Sequence, residues 1–254
     1  MSTTTAGAPT DVRAARSPRP PLLAIGLAVG FVAVAAAGTL GLAAVAPGID
    51  DRTRDLLVEV LLALLVVGII AGLGWRREVG INGIRAWRHP RLLVIPLLLV
   101  LLPFLGGLRG VDAGTVAFLV VGYTLNSVAE DGLFRGILPR ILRPSGLAWV
   151  VVLSSVLFGL AHFGNLLSRP DQSVAITAAQ ALGAFSEGIG LIALRLVNRS
   201  VIPVMIVHAL GDLFLQLGGL PIVPVNVVQS VLFLVFGIWL LRRYRTEIAA
   251  DGWG

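Results

Sequence analysis

Apolar runs of about twenty residues, each enough to cross the roughly 30 Å hydrocarbon core of a bilayer as a helix, follow one another along this chain with little soluble sequence between them. Eight can be marked, at 22–45, 56–75, 92–108, 115–138, 147–166, 174–197, 201–217 and 222–241. The pattern predicts an all-α polytopic membrane protein, with about eight transmembrane helices surrounding a polar intramembrane cavity. Composition agrees: 56% of the residues are hydrophobic and 13% charged, against about 25% charged in an ordinary soluble domain.

The basic residues set the expected topology. All twenty are Arg, which excludes lysine general bases and Schiff-base chemistry, and the absence of Cys excludes disulfides, thiolate nucleophiles and thiolate metal ligands. Arg13, Arg16 and Arg19 precede the first run, Arg76, Arg77, Arg85, Arg88 and Arg91 follow the second, and Arg140 and Arg143 follow the fourth. Arg199 follows the sixth, and Arg242, Arg243 and Arg245 follow the eighth, whereas the alternate loops hold only Arg52, Arg54, Arg109 and Arg169. Short cytoplasmic loops carry the excess of basic residues, so both termini are expected in the cytoplasm. Trp75, Trp87, Trp149 and Trp239 fall near that same boundary, where indoles favour the interface. A formal charge of +6 is thus explained by orientation, without nucleic acid as a partner.

Inside the apolar runs stand ionisable residues that cost about 2.5–3.5 kcal/mol each at a helix centre and are functional by default. Glu130, Asp131 and Arg135 share one run, Phe158 and His162 another, and His208 and Asp212 a third. Residues four apart lie on one helix face. His208 and Asp212 can therefore address one point, where the carboxylate either orients the imidazole or shares a metal with it. Phe158 can pack beside His162, and Asp131 can pair with Arg135, which leaves Glu130, about 100° round the helix, free to face a site. One Glu, two His and one Asp suffice to activate water, with or without a divalent metal. Simpler readings serve elsewhere: His89 as a solvated neighbour of Arg88, Glu59 at the interface, Arg195 snorkelling from a cytoplasmic helix end, and Pro203, Gly211 and Asn126 shaping helices. Glu187, beside the small-residue pair Ala184 and Gly188, either lines the cavity or serves close helix packing.

The sequences EDGLFRG from Glu130, FGLAH from Phe158 and HALGD from His208 resemble the three ordered motifs of the CPBP family of intramembrane proteases. That group includes the type II CAAX prenyl endopeptidases and bacterial bacteriocin-processing or immunity proteins. The family pattern is Glu-Glu-x-x-x-Arg, Phe-x-x-x-His, then His-x-x-x-Asn or Asp, on helices of an all-α, typically eight-span fold. The resemblance covers 115–217 and divides the chain into a disordered cytoplasmic tail (1–20), N-terminal transmembrane helices (21–114), a catalytic core (115–217), and a last transmembrane helix with a cytoplasmic tail (218–254).

The resemblance implies that Glu130 and His162 activate the attacking water, with Asp131, Arg135 and Phe158 in support. His208 and Asp212 then either stabilise the tetrahedral oxyanion or bind a metal. Both a zinc enzyme, with His162, His208 and Asp212 as ligands and Glu130 as a further candidate, and a metal-free glutamate protease fit the pattern. Asp212 in place of Asn cannot donate an amide hydrogen bond, which tilts it toward a metal ligand. The expected activity is endopeptidase cleavage of a membrane peptide or lipid-anchored protein near the cytoplasmic side. The Arg-only, Ala-, Val-, Gly- and Leu-rich composition points to a bacterial inner membrane. A proton-coupled transporter and a catalytically inactive family member acting as scaffold or immunity protein are the competing functions. Helical rise puts Glu130 roughly 14 Å in from Pro139 and His208 roughly 10 Å in from Val201, but His162 roughly 24 Å in from Gly146.

Overall fold

The structure is a computed structural model that describes residues 19–168 and 172–253. The expected tail, including Arg13 and Arg16, therefore lies outside the described residues except for Arg19 and Pro20, and so does Arg169. Among the described residues, eight helical segments, or passes, follow the eight apolar runs. They begin with α1 (Pro20–Val45) and α2 (Asp51–Gly72). Pro20 stands in the first turn, where a missing N–H costs nothing, and Asp50 caps α2 by accepting from the Thr53 amide at 3.1 Å.

The third pass is the least regular. Only α3 (Val94–Val100) is α-helical, between 3₁₀ turns at Pro90–Leu93 and Leu102–Gly106. Pro90 and Pro103 stand at the starts of those turns, and a proline inside a continuous helix would remove a hydrogen bond and clash with the preceding turn. Its end is tied instead to the end of a later helix, where the Gly219 amide donates to the Gly107 carbonyl at 2.8 Å. A Cβ at Gly219 would lie 2.1 Å from the Gly106 carbonyl oxygen, so only glycine fits there.

The fourth pass carries the first motif. It runs through α4 (Ala113–Asp131), capped by Asp112, then a π-turn at Gly132–Ile137, then α5 (Leu138–Leu142). Pro139 has no N–H for the carbonyl one turn back, and the wider turn lies directly before it; such single-turn π insertions gather at functional sites. The fifth pass has a π-turn at Trp149–Leu153, α6 (Ser154–Ala161), a 3₁₀ turn at His162–Gly164 and α7 (Asn165–Ser168). Then follow α8 (Val174–Asn198), α9 (Ile202–Leu217) and α10 (Ile222–Arg243), with a short α11 (Arg245–Ile248) and a closing turn at Ala249–Trp253. Pro203 sits in the first turn of α9 and leaves that helix unbroken.

Among the described residues, five helices are long and apolar enough to cross a membrane, and the passes at Pro90–Gly106 and Ile202–Leu217 are shorter apolar helices. Large apolar side chains such as Leu22, Val29, Leu64, Val231 and Val235 stay exposed on α1, α2 and α10. In lipid that exposure carries no hydrophobic penalty, and association rests on close backbone approach between small residues. The centre is α8, packed against α6, α9 and α10. Gly190 of α8 meets Gly237 of α10, where an added Cβ would come within 2.8 Å of backbone atoms, and Gly188 faces Ser155 of α6. Gly188 thus serves packing, while Ala184 and Glu187 on the same helix line a cavity.

Candidate active site

The three motifs arrive on neighbouring helices: α4 packs on α9, and α6 and α9 both pack on α8. A cavity of about 530 Å³ lies between them, lined in its depth by Glu130, Phe158, His162, Glu187, His208 and Asp212. All four expected catalytic residues therefore face one space. Phe31 and Phe158 line it, and the buried Phe134 joins them, 5.8 Å from Phe31 and 5.3 Å from Phe158 between ring centroids.

His208 is the hub. Its Nδ1 lies 3.1 Å from Asp131 Oδ2; a carboxylate accepts, so Nδ1 carries the proton. That bond fixes the tautomer and the ring plane, as a carboxylate does for a functional imidazole elsewhere. The opposite nitrogen, Nε2, lies 3.8 Å from Glu130 Oε2 and 3.6 Å from Asp212 Oδ2. Both distances exceed a direct hydrogen bond, and both are short enough for an oxygen atom to be shared beside them.

Asp131 has a second task. It is fully buried and pairs with Arg135, one turn along, at 3.1 Å between Oδ1 and the guanidinium. Arg135, 1% exposed, also lies over the Phe158 ring at 3.6 Å, an attraction between cation and π face that strengthens when water is excluded. The expected ion pair is present, and Asp131 also takes the imidazole-orienting part that spacing alone offered to Asp212. No sequence rule joins residue 131 to residue 208; only the packing of α4 on α9 does so.

His162 enters the cavity from the end of α6. Its Nδ1 lies 3.0 Å from the Phe158 carbonyl, which only accepts, so Nδ1 is the donor and Nε2 of the neutral ring is an acceptor. Phe158 stands between the two histidines, edge-on to His162 at 5.1 Å and to His208 at 5.9 Å. Asn126, one turn before Glu130, donates from Nδ2 to Glu130 Oε2 at 3.3 Å. Its four-residue spacing from Glu130 was the signal that could have found it, and reading it as a helix-shaping residue passed over that. Glu59, expected at the interface, also lines the cavity.

Among the described residues no group of three or more His, Asp or Glu side chains is set to hold a metal ion. His162 and His208 each have Nδ1 committed to a protein acceptor, the Phe158 carbonyl and the Asp131 carboxylate, and neither bond engages Nε2.

Toward its mouth the cavity is lined by Thr39, Arg52, Asp55, Gln216, Ile222 and Asn226. These belong to the ends of α1, α2, α9 and α10 that lie opposite the arginine-rich loops. None of the lining residues comes from 73–89, 143–148, 198–201 or 244–253. The lining thus runs from Glu130 and His208 toward the end opposite the arginine-rich loops.

The arginine-rich face is built differently. Arg88 pairs with Glu247 at 3.2 Å and Asp251 at 3.1 Å, Arg199 also pairs with Asp251, and Arg143 donates to the carbonyls of Asp251 and Gly252. His89 is more than a solvated neighbour of Arg88: its Nε2 meets Glu247 at 2.9 Å and its ring packs on Tyr244. Arg195 does not snorkel to water, because Trp253 lies over it at 4.9 Å and its guanidinium donates to the Glu78 carbonyl at 2.8 Å.

The family model described as type II CAAX prenyl endopeptidase Rce1-like matches residues 112–214, close to the expected core. No curated protein matches the chain.

Proposed function

We propose, from the match of residues 112–214 to the Rce1-like model of type II CAAX prenyl endopeptidases, that the chain hydrolyses a peptide bond of a membrane-embedded or membrane-tethered polypeptide, with Glu130 as general base in a metal-free, glutamate-type mechanism. The observation that carries the reading is the gap at His208 Nε2, flanked at 3.8 and 3.6 Å by Glu130 and Asp212 and opening into a cavity large enough for a peptide segment.

Water held beside Glu130 loses a proton to the carboxylate as its oxygen attacks the scissile carbonyl carbon, and Glu130 returns that proton to the leaving amine. His162 Nε2, the free acceptor of its ring, aligns the water. Negative charge that grows on the carbonyl oxygen is met by the Nε2–H of His208 as an imidazolium, whose ring Asp131 holds in place without reorganisation during the step. Asp212 faces the same nitrogen and balances its charge. Asp131 in place of the family's second Glu keeps both of its contacts, to Arg135 and to His208, so the shorter side chain is compatible with activity.

Purified protein reconstituted in vesicles with a library of single-span peptides tests this. Cleavage that vanishes in Glu130→Gln and persists after chelation of divalent metals is the expected result. Cleavage abolished by chelation and restored by zinc would replace the glutamate mechanism with a metal one, and transport of an ion without any cleavage would replace the protease.

A further inference from the structure

We infer that the cavity takes its occupant from the extracytoplasmic side of the membrane, so that the substrate class is a polypeptide presented at the outer face; the word substrate rests on the protease reading above, while the side of access does not. Two independent observations combine. The first is the distribution of charge between the two ends of the bundle. The loops at 73–89, 143–148 and 198–201, together with the segment after 241, carry nearly all of the loop arginines, whereas the other end holds Arg52, Arg54 and Arg109 beside Asp50, Asp51, Asp55 and Asp112. Arginine in short loops is retained in the cytoplasm, which assigns the first end to the inside.

The second observation is the shape of the cavity. From Glu130 and His208 it rises past Tyr123 and Leu215 to Thr39, Arg52 and Gln216, all toward the arginine-poor end. The arginine-rich end has a separate covering: Trp253 lies over Arg143 and Arg195, and Asp251 ties Arg88 and Arg199 together. Water and a peptide chain therefore reach Glu130 from the face that the arginines mark as outer. Lining side chains at the mouth are polar, with Thr39, Gln180, Gln216 and Asn226 among them, and can satisfy the backbone groups of an extended peptide that would otherwise be costly to bring into the bilayer. Cleavage near the cytoplasmic side would need an opening among loops that contribute nothing to the lining.

The absence of Cys makes the test direct. Single cysteines are introduced at the mouth, as Gln216→Cys and separately Thr39→Cys, and on the arginine face, as the exposed Ala86→Cys. Intact cells are treated with a membrane-impermeant maleimide, and so are inverted vesicles. Labelling of both mouth cysteines in cells, with Ala86→Cys labelled only in inverted vesicles, is the expected result. The reverse pattern overturns the inference, and so does a mouth reached from neither side; two mouth positions keep the test alive if one variant does not accumulate. Assaying cleavage by the protein with Glu130 intact, beside the labelling, separates the two readings. Outward labelling with no cleavage of any peptide removes the protease and leaves the access, whereas cleavage with inward labelling removes the access alone.

Discussion

Two clusters of Arg, His and carboxylate side chains lie at different depths of this bundle and do opposite things with the same chemistry. At the arginine-rich face, His89 meets Glu247 and Arg88 bridges Glu247 and Asp251, with Arg199 and Glu247 open to water at 49% and 39%. Exposed pairs of this kind contribute little, because water and salt screen them. Behind the cavity, Asp131 and Arg135 are withdrawn from solvent, and every charge there must find a partner or cost several kcal/mol. One imidazole nitrogen in the cavity is committed to holding the ring and the other is left beside two carboxylates at distances too long for a hydrogen bond. The contrast teaches that depth, not residue type, separates a fastening from a reaction centre.

The sharpest way to break that comparison is Glu130→Gln. Removing a general base costs about 10²–10⁴-fold in rate, and the Asn126 contact is compatible with an amide, so turnover should collapse while the unfolding temperature stays near that of the parent. A large loss of thermal stability would mean that Glu130 fastens the helices, as the outer cluster does. Next in size is Asp131→Asn, which leaves the Arg135 guanidinium buried without its counter-charge. A cost of about 3–5 kcal/mol is expected for breaking such a pair, read by thermal unfolding in detergent, with activity lost beyond what the unfolded fraction explains because His208 is no longer oriented. Full activity in a stable Asp131→Asn protein would dissolve the distinction between the orienting and the reacting carboxylate.

Much of this arrangement was legible in the letters because helical periodicity reports on one helix at a time. The helical segments, the Asp131–Arg135 pair, the exposure of Glu130 to the cavity and the approach of Phe158 to His162 are all relations within a helix, and each is present among the described residues. What escaped were relations between helices. The Asp131–His208 bond depends on how α4 lies against α9, the covering of Arg195 depends on Trp253 folding back from the end of the chain, and the direction of the cavity depends on which ends of α1, α2 and α9 splay apart. Hydropathy has no access to any of these, since it scores a residue without its neighbours across a gap.

On the outer cluster the effects should be smaller and should spare catalysis. Asp251→Asn weakens two arginine contacts at once, and about 1 kcal/mol is expected from pairs whose partners stay partly solvated. Increased hydrogen exchange confined to Arg199 and to 245–253, with unchanged cleavage, would support the division between the clusters. Lost cleavage would show that the covering of the arginine face supports the site beneath it.

The smallest effect concerns pH at Glu247. The hydrogen bond from His89, together with Arg88, holds this carboxylate below its ordinary value of 4.5. A depressed carboxylate contributes stability that is complete above its unfolded pKa and is lost as pH falls through the lower folded value. The contact of α11 with His89 and Arg88 should therefore be intact at neutral pH and loosen only below the ordinary glutamate range. Amide exchange of 245–253, corrected for the intrinsic rate at each pH, should show the loosening, and Glu247→Gln should flatten the dependence. Because the carboxylate is exposed, water and salt screen its partners, and the change should be slight and diminish further in high salt. If cleavage at neutral pH fell in Glu247→Gln in step with the loosening of α11, the two clusters would be coupled, and the separation of fastening from reaction by depth would fail.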